Sequence, residues 1–491
     1  MGLVPLCANR RTHTTQKGYP IFMRNFSSRQ VTLPGLLILA TVLAICASAL
    51  FAAHAKGTSS PNGDWPTYLE NNARTGYNSA ETAINAKTAP NLKLKWKYSI
   101  GHVISVQPVV ANGQVYFGAW DGNEYATDLT GKKIWSAPIA GQTPNCSGSQ
   151  IFGVVSTATV ADVKINGKST SVVFVGGRDL SLKVASVYAL NAATGTVIWK
   201  TPLSSSTGSF SWSSPAVYNG SVYIGLASVD DCPLVRGALL QLDATTGTIL
   251  HTFYVVPSGC LGGSIWSSPA IDKKAGTIYM STGNNGPCKI TEIYAEAIVK
   301  LSAADLSLLD SWQVPASQRI GDGDFGATPT LFTATYGVGT HDLVGAVNKN
   351  GIFYALDRTS LSSGPVWSAK TSTSTISISS SAWDGTTLYV AGRDTSIGGK
   401  SCKGSLRALN PANGHFIWQD CLNDGGVLGP VSAVSGVVFV SEGSHLLAMN
   451  AATGHILFNY TTSALIQGGA SISNGVVYQG NSAGTLYAFG L

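Results

Sequence analysis

Five short patches in the middle of the chain carry side chains that could do chemistry. SVDDCPLVRG (228–237) sets Asp230 beside Asp231, and GGSIW (262–266) ends on Trp266. STGNNGP (281–287) carries Asn284, and GDGDFGATP (321–329) carries Asp322 and Asp324. AVNKNGIFYALDR (346–358) places Lys349 in a short polar turn. Carboxylate and amide oxygens are the donors that a hard cation such as Ca2+ takes. A flat indole suits a planar conjugated ligand. An ammonium group answers negative charge that builds up on an oxygen. These residues act together only if the fold brings them to one place.

The rest of the chain says how. One phrase recurs: ALNAATGTVIW at 189–199, QLDATTGTIL at 241–250, ALNPANGHFIW at 408–418 and AMNAATGHILF at 448–458. Looser copies are TDLTGKKIW (127–135), KLSAADLSLLDSW (300–312) and ALDRTSLSSGPVW (355–367). A repeat on this scale means stacked supersecondary units. Each copy reads as a short apolar strand ending at Asn or Asp, a turn, and a second strand. In the closest copies the turn is a T-G or N-G pair, where Gly195, Gly247, Gly414 and Gly454 supply the positive φ of a tight hairpin. The second strand ends on Trp135, Trp199, Trp312, Trp367, Trp418 or Phe458, an aromatic well placed to pack between neighbours. Two further strand-like runs precede each copy, such as SSPAVYNGSVYIG (213–225).

Four short strands per unit predict an all-β fold, a β-propeller. The units fall at 104–138, 151–203, 209–256, 262–314, 322–370, 374–421, 424–462 and 464–491. The last lacks a strand, and LKLKWKYS (92–99) reads as the missing one. It closes an eight-bladed ring from the N-terminus and leaves no open sheet edge. In such a ring the starts of the innermost strands and their loops surround one mouth of the central channel. The five patches fall at those points.

Residues 1–30 carry Arg10, Arg11, Lys17, Arg24 and Arg29 and no acid; residues 31–53 are apolar, and AHA follows at 53–55. The pattern predicts a secretory signal or a retained signal anchor over 1–55. A lead-in at 56–90 and the propeller at 91–491 complete the expected division. The propeller is therefore expected outside the cytoplasm: secreted, periplasmic or at the cell surface. The formal charge of +6 comes from 31 basic and 25 acidic residues. Without the five basic residues before Ala55 it is 26 against 25, so no basic field draws nucleic acid or anionic lipid. Any membrane association is expected through the N-terminal anchor alone.

Of eight cysteines, Cys7 and Cys46 precede residue 55 and six follow it, which suggests disulfides in an exported chain. Cys402 and Cys421 flank a hairpin and can bridge its ends. Cys232 and Cys260 flank another hairpin in the same way, with Cys146 and Cys288 as the remainder, but six cysteines allow 15 pairings and the spacing does not choose among them. No CxxC or CxxCH occurs, so zinc-knuckle and haem-c readings have no support.

On these motifs the chain resembles the pyrroloquinoline quinone (PQQ)-dependent alcohol dehydrogenases, eight-bladed quinoproteins, and in particular their polyvinyl-alcohol-dehydrogenase-like branch. The resemblance covers about residues 64–491. DWPTYLENNARTGYN (64–78) leading to LKLKW (92–96) is similar to the start of that family's propeller, and the A-L-N-x-x-T-G-x-x-x-W phrase to its tryptophan-docking motif. The docking motif is shared with non-catalytic relatives and speaks for fold. The five patches are more specific.

The resemblance implies PQQ and Ca2+ as cofactors. It implies that Trp266 stacks on the quinone and that Asn284 and Asp231 are calcium ligands. Asp324 is then the catalytic base and touches the metal, and Lys349 contacts the quinone oxygens and takes part in catalysis. The reaction implied is oxidation of a small or polymeric alcohol by hydride transfer to the quinone, with a separate electron acceptor and no fused cytochrome. Four departures stand against the family pattern. Asp replaces the usual Glu ligand, no adjacent Cys-Cys pair occurs, Gly323 stands where a Trp usually precedes the base, and no cytochrome motif is present.

Each residue also has an ordinary reading. SFSWSSP at 209–215 repeats the tryptophan motif, so Trp266 fits blade packing. TGNNG is good turn chemistry for Asn284. Asp324 suits a strand-start cap with Asp322 as its rival, Asp231 a solvated loop, and Lys349 a plain turn. The competing class is a propeller without cofactor, an extracytoplasmic binding or assembly scaffold. A glycosidase or lyase needs paired catalytic carboxylates, for which Asp322 and Asp324 are too weak a signal.

Overall fold

The computed structural model describes residues 63–288 and 291–491. The segment read as a signal or anchor lies outside them. Eight antiparallel sheets of four principal strands follow one another along the chain. Blade 1 spans 109–138, blade 2 159–202, blade 3 216–254, blade 4 270–313, blade 5 330–370, blade 6 382–422 and blade 7 432–461. Blade 8 has Ser471–Ser473, Val476–Gly480 and Thr485–Gly490, and its outermost strand is Lys93–Ser99. That strand runs antiparallel to Thr485–Gly490, with Lys93 opposite Gly490 and Ser99 opposite Thr485. The ring is thus an eight-bladed propeller closed by strands from both ends of the described chain.

The recurring phrase explains the outer hairpin of the blades that carry it. In blade 2 Asn191 ends the third strand, and its Oδ1 accepts the N–H groups of Ala193 (3.0 Å) and Thr194 (3.2 Å). Gly195, at φ +71°, then returns its own N–H to the Asn191 carbonyl at 2.8 Å. Asp243 and Asn450 act in the same way in blades 3 and 7. Each of these hairpins slips register by one residue beyond the turn, as between Ala189 and Leu190. This bulge re-aims the strand that carries the aromatic residue.

The aromatic then docks on the next blade. Trp135 Nε1 donates to the Ala192 carbonyl at 2.9 Å, Trp199 to Ala244 at 3.1 Å, Trp367 to Pro411 at 2.7 Å and Trp418 to Ala451 at 2.9 Å. Trp96 of the closing strand donates to Leu129 at 2.8 Å. Each indole lies against the turn glycine of its neighbour. A Cβ on Gly195 would come within 2.6 Å of Trp135. Apolar residues of adjacent blades fill the space between sheets, as Phe174, Leu240 and Leu242 do between blades 2 and 3.

The segments leading into the inner strands of blades 2 to 6 are joined by hydroxyl groups. Thr157 N–H donates to Ser214 Oγ, Ser214 N–H to Ser268 Oγ, Ser268 N–H to Thr328 Oγ1 and Thr328 N–H to Ser380 Oγ, each at 2.9–3.0 Å. The lead-in residues 63–78 lie against one end of these strands. There the fully buried Arg74 donates to the carbonyls of Pro269 and Pro215 in blades 4 and 3.

Three disulfides join the six cysteines. Cys402–Cys421 is as expected. The other two pairings differ from the expectation: Cys146 joins Cys232, and Cys260 joins Cys288. Flanking a hairpin picks out the blade 6 bridge and not these two. The short hairpin Thr143–Pro144/Ile151–Phe152, outside the blades, carries Cys146 to the turn of blade 3. The loop before blade 4 lies beside blade 4's own turn, with Gly262 bridged to Asn285, and this brings Cys260 to Cys288.

Candidate functional site

Two kinds of loop build one rim of the propeller: those leading into a blade and those joining its second and third strands. Asp230 and Asp231 lie in the second kind in blade 3, after Ser221–Ser228. Trp266 lies in the connection before Ala270–Asp272, so it precedes the innermost strand of blade 4 and does not start it. Asn284 follows Thr277–Ser281, Asp322 and Asp324 precede Thr330–Tyr336, and Lys349 follows Gly339–Val347. All seven line one cavity of about 200 Å3, together with Trp212, Ser228, Ser264 and their neighbours. The structure therefore gathers Asp231, Trp266, Asn284, Asp324 and Lys349 in one place.

Asp324 is at the centre of the polar contacts. It is buried, and its Oδ2 accepts the Trp266 Nε1–H at 2.7 Å. Its Oδ1 pairs with Lys349 Nζ at 2.7 Å. The backbone holds the same arrangement, since Lys349 N–H donates to the Asp324 carbonyl at 3.1 Å and Asn348 Nδ2 to the Gly323 carbonyl at 2.6 Å. Lys349 Nζ also reaches Asp322 Oδ1 at 2.8 Å and stands 5.0 Å from the Trp266 ring centroid. Gly326 lets the indole in; a Cβ there would collide with Trp266 Cη2.

The two acids titrate differently. Burial pushes the Asp324 carboxyl up, and Lys349 and Trp266 only partly offset this. Burial also works to raise Asp322, but hydrogen bonds from Lys349 and Asn284 outweigh it and hold that carboxyl below the usual range. Burial opposes the Lys349 ammonium, yet its pairing with Asp324 and Asp322 holds it above the usual lysine range. Asp231 stands at the exposed edge of the cavity. Partial desolvation, then repulsion from Asp322 and Asp230, pushes it up. Acids that repel one another in this way are an environment that a cation relieves.

Asn284 donates its Nδ2 to Asp322 Oδ1 at 2.8 Å, while its Oδ1 is buried without a hydrogen-bond partner. An unpaired buried carbonyl is costly. Beside four carboxylates and one ammonium, it is a position that suits a hard cation. Asn284 bonds to Asp322, not to Asp324, whose oxygens are taken by Trp266 and Lys349. Asp322, weighed above only as a rival base, thus belongs to the constellation. Trp212 is the residue that sequence reasoning passed over. Its signal was present in SFSWSSP, which parallels the motif of Trp266.

A family model described as "Glucose/ethanol/alcohol dehydrogenase, beta-propeller domain" matches residues 65–372. The chain belongs to the PQQ-dependent alcohol dehydrogenase-like propeller family. A second model, "Outer membrane protein assembly factor BamB", matches residues 338–491. A polyvinylalcohol dehydrogenase of a Pseudomonas species is 25% identical over 439 residues, which are 78% of this chain and 65% of that protein. Quinohemoprotein alcohol dehydrogenase ADH IIB of Pseudomonas putida is 25% identical over 369 residues, 66% of this chain and 50% of that protein. The chain thus spans between half and two thirds of the length of these relatives. The crystal structure of quinohemoprotein alcohol dehydrogenase from Comamonas testosteroni superposes with a TM-score of 0.68 at 20% identity, over 90% of this chain and 82% of that one. BamB from Moraxella catarrhalis superposes at 0.52 and 15% identity, over 82% of this chain and 98% of that one. Both structures speak for the propeller fold alone.

Proposed function

We propose that this protein is an exported PQQ- and Ca2+-dependent alcohol dehydrogenase. The observation that carries this reading is the Asp324 carboxylate, held between Trp266 Nε1 and Lys349 Nζ beside the unpartnered Asn284 Oδ1 in one cavity. Asp231, Asn284 and Asp324, joined by Asp322, are the residues to hold the ion, and Trp266 and Lys349 those to hold the quinone. When bound, the quinone supplies the two-electron acceptor and Ca2+ the Lewis acid.

The chain's own residues do the remaining work. Asp324, oriented by its two partners, takes the proton of the substrate hydroxyl as general base. Its raised pKa brings it nearer the neutral range, where a base is most effective. Lys349 keeps a fixed positive charge at the wall where oxygen becomes negative. Asp322, kept ionised, holds Asn284 and Lys349 in place. The substrate is a small or polymeric alcohol, as the name of the polyvinylalcohol dehydrogenase relative suggests. Electrons leave to a separate acceptor. Export through the N-terminal segment, as a cleaved signal or an anchor, is part of this proposal.

The test is addition of PQQ and Ca2+ to purified protein, followed by dye-coupled oxidation of primary, secondary and polymeric alcohols. Quinone uptake with alcohol-dependent dye reduction is expected. No quinone bound in excess Ca2+ would overturn the reading. It would leave the scaffold alternative, which the assembly-factor match over 338–491 favours.

A further inference from the structure

Three loops lie side by side under the cavity. Residues 229–237 carry Asp230 and Asp231, residues 260–266 carry Trp266, and residues 282–288 carry Asn284. The middle loop is bonded on both sides. Gly262 N–H donates to the Val235 carbonyl and Gly237 N–H to the Gly262 carbonyl, both at 2.9 Å. On the other side Gly263 N–H donates to the Asn284 carbonyl and Gly283 N–H to the Ser264 carbonyl, both at 2.7 Å. The second and third loops carry two glycines each, and although Val229, Val235 and Ile265 are buried, Asp230, Asp231, Cys232 and Pro233 of the first are exposed. Glycine-rich segments lose the most entropy on ordering. A few backbone bonds near solvent are a weak counterweight.

Two of the three disulfides sit on these loops. Cys260–Cys288 ties the outer end of the middle loop to the end of the Asn284 loop, with Cα atoms 5.2 Å apart. Cys146–Cys232 ties the Asp231 loop to the hairpin Thr143–Pro144/Ile151–Phe152. Beside it Cys146 N–H donates to Asp230 Oδ2 at 3.2 Å, and Phe152 of the same hairpin packs edge-on against Trp212, 4.8 Å between centroids. Cys402–Cys421 joins Lys400–Leu409 to Phe416–Leu422 in blade 6, which contributes no residue to the cavity.

We propose that Cys260–Cys288 and Cys146–Cys232 are positioning elements of the cavity, stapling the loops that set Asn284, Trp266 and Asp231, whereas Cys402–Cys421 is not. The staples restrict the exposed parts of the loops, which the buried Val229, Val235 and Ile265 do not hold, so the Asn284 oxygen and the Asp231 carboxylate stay turned to one point. Any effect on cation affinity rests on the reading of the cavity given above. The ordering of the loops does not.

Three double variants of the full chain test this: Cys260→Ser/Cys288→Ser, Cys146→Ser/Cys232→Ser and Cys402→Ser/Cys421→Ser. The first and third open closures of similar span, 28 and 19 residues, so their losses of thermal stability are expected to be alike. Hydrogen exchange of the backbone amides is the primary readout. Cys260→Ser/Cys288→Ser is expected to speed exchange over 260–266 and 282–288 about tenfold or more, and Cys146→Ser/Cys232→Ser to do so over 229–237. Cys402→Ser/Cys421→Ser is expected to leave all three loops unchanged. Calorimetric titration with Ca2+ is the second readout, with about a tenfold loss of affinity in the first two variants and none in the third. Unchanged exchange in the site loops of both, or equal acceleration in the blade 6 variant, overturns the proposal. If the wild-type protein takes up no Ca2+, with or without PQQ, the cation reading fails, and the exchange result still decides whether the disulfides position the loops.

Discussion

Trp212 and Trp266 occupy matching points of successive blades, in SFSWSSP and GSIWSSP. Both line the cavity, yet their partners differ in kind. Trp212 Nε1 donates to the carbonyls of Ser228 and Val229, and its ring packs against Phe152 and Phe210. Trp266 Nε1 donates to the buried Asp324 carboxylate, and its ring faces the Lys349 ammonium. One indole is held by main chain and apolar packing, the other by two ionisable groups. The repeat fixes where a tryptophan stands. The loops of the next blade decide whether it belongs to a wall or to a cluster of ionisable groups.

Four measurements break or sharpen this contrast. The largest effect is expected for Asp324→Asn. With the proposed general base removed, turnover is expected to fall by about 10^3-fold, within the usual range for such a group, while quinone uptake followed by fluorescence titration persists. Equal turnover would remove Asp324 from its role and leave the two tryptophans alike. Next is Gly195→Ala, on the docking side of the fold. The strained φ and the collision with Trp135 are expected to cost about 2 kcal/mol in denaturant unfolding, with no change in Ca2+ or quinone uptake.

Third, Trp266→Phe is expected to weaken quinone binding about tenfold, on the scale of an aromatic contact and a charge-assisted hydrogen bond. Trp212→Phe is expected to change it by less than about twofold, since its partners are backbone and hydrocarbon. Equal losses would abolish the distinction between them.

The smallest effect concerns the opposite part of the ring. In blade 5 Asp324 faces a lysine; in blade 7 buried Glu442 faces another acid, accepting the Asp424 N–H at 3.3 Å. Burial first and Asp424 second push the Glu442 carboxyl up from 4.5 to about 7. The folded state therefore keeps a proton that the unfolded chain gives up near pH 4.5. The stability from this group is full below that pH and is lost as pH rises to about 7. Glu442→Gln is expected to flatten that part of the melting-temperature profile by about 2 °C; a profile of unchanged slope would assign the titration elsewhere.

The ring was legible because its causes are local. A-L-N-x-x-T-G writes an Asn cap, a positive-φ glycine and a bulge within a few residues, and the Trp that follows docks on the turn glycine of the next blade, as Trp135 does on Gly195 and Trp367 on Gly414. The disulfides were less legible. The hairpin between them suggested Cys232 with Cys260, but the partner of each came from a neighbouring loop or an inserted hairpin that no repeat announces. Asp322 was visible as a residue and not as a participant, because nothing local says that Asn284 and Lys349 converge on it.

The amino-acid order by itself determined eight four-stranded units, their docking aromatics, and which patches depart from the repeat. It could do so because strand alternation, turn chemistry and capping act over a few residues. Tertiary structure alone decided that Trp266 turns its N–H to Asp324, that Asn284 keeps one oxygen unpaired, and which loops the sulfurs join. Those outcomes depend on how closed blades bring distant loops together at one rim, a geometry set by the whole ring.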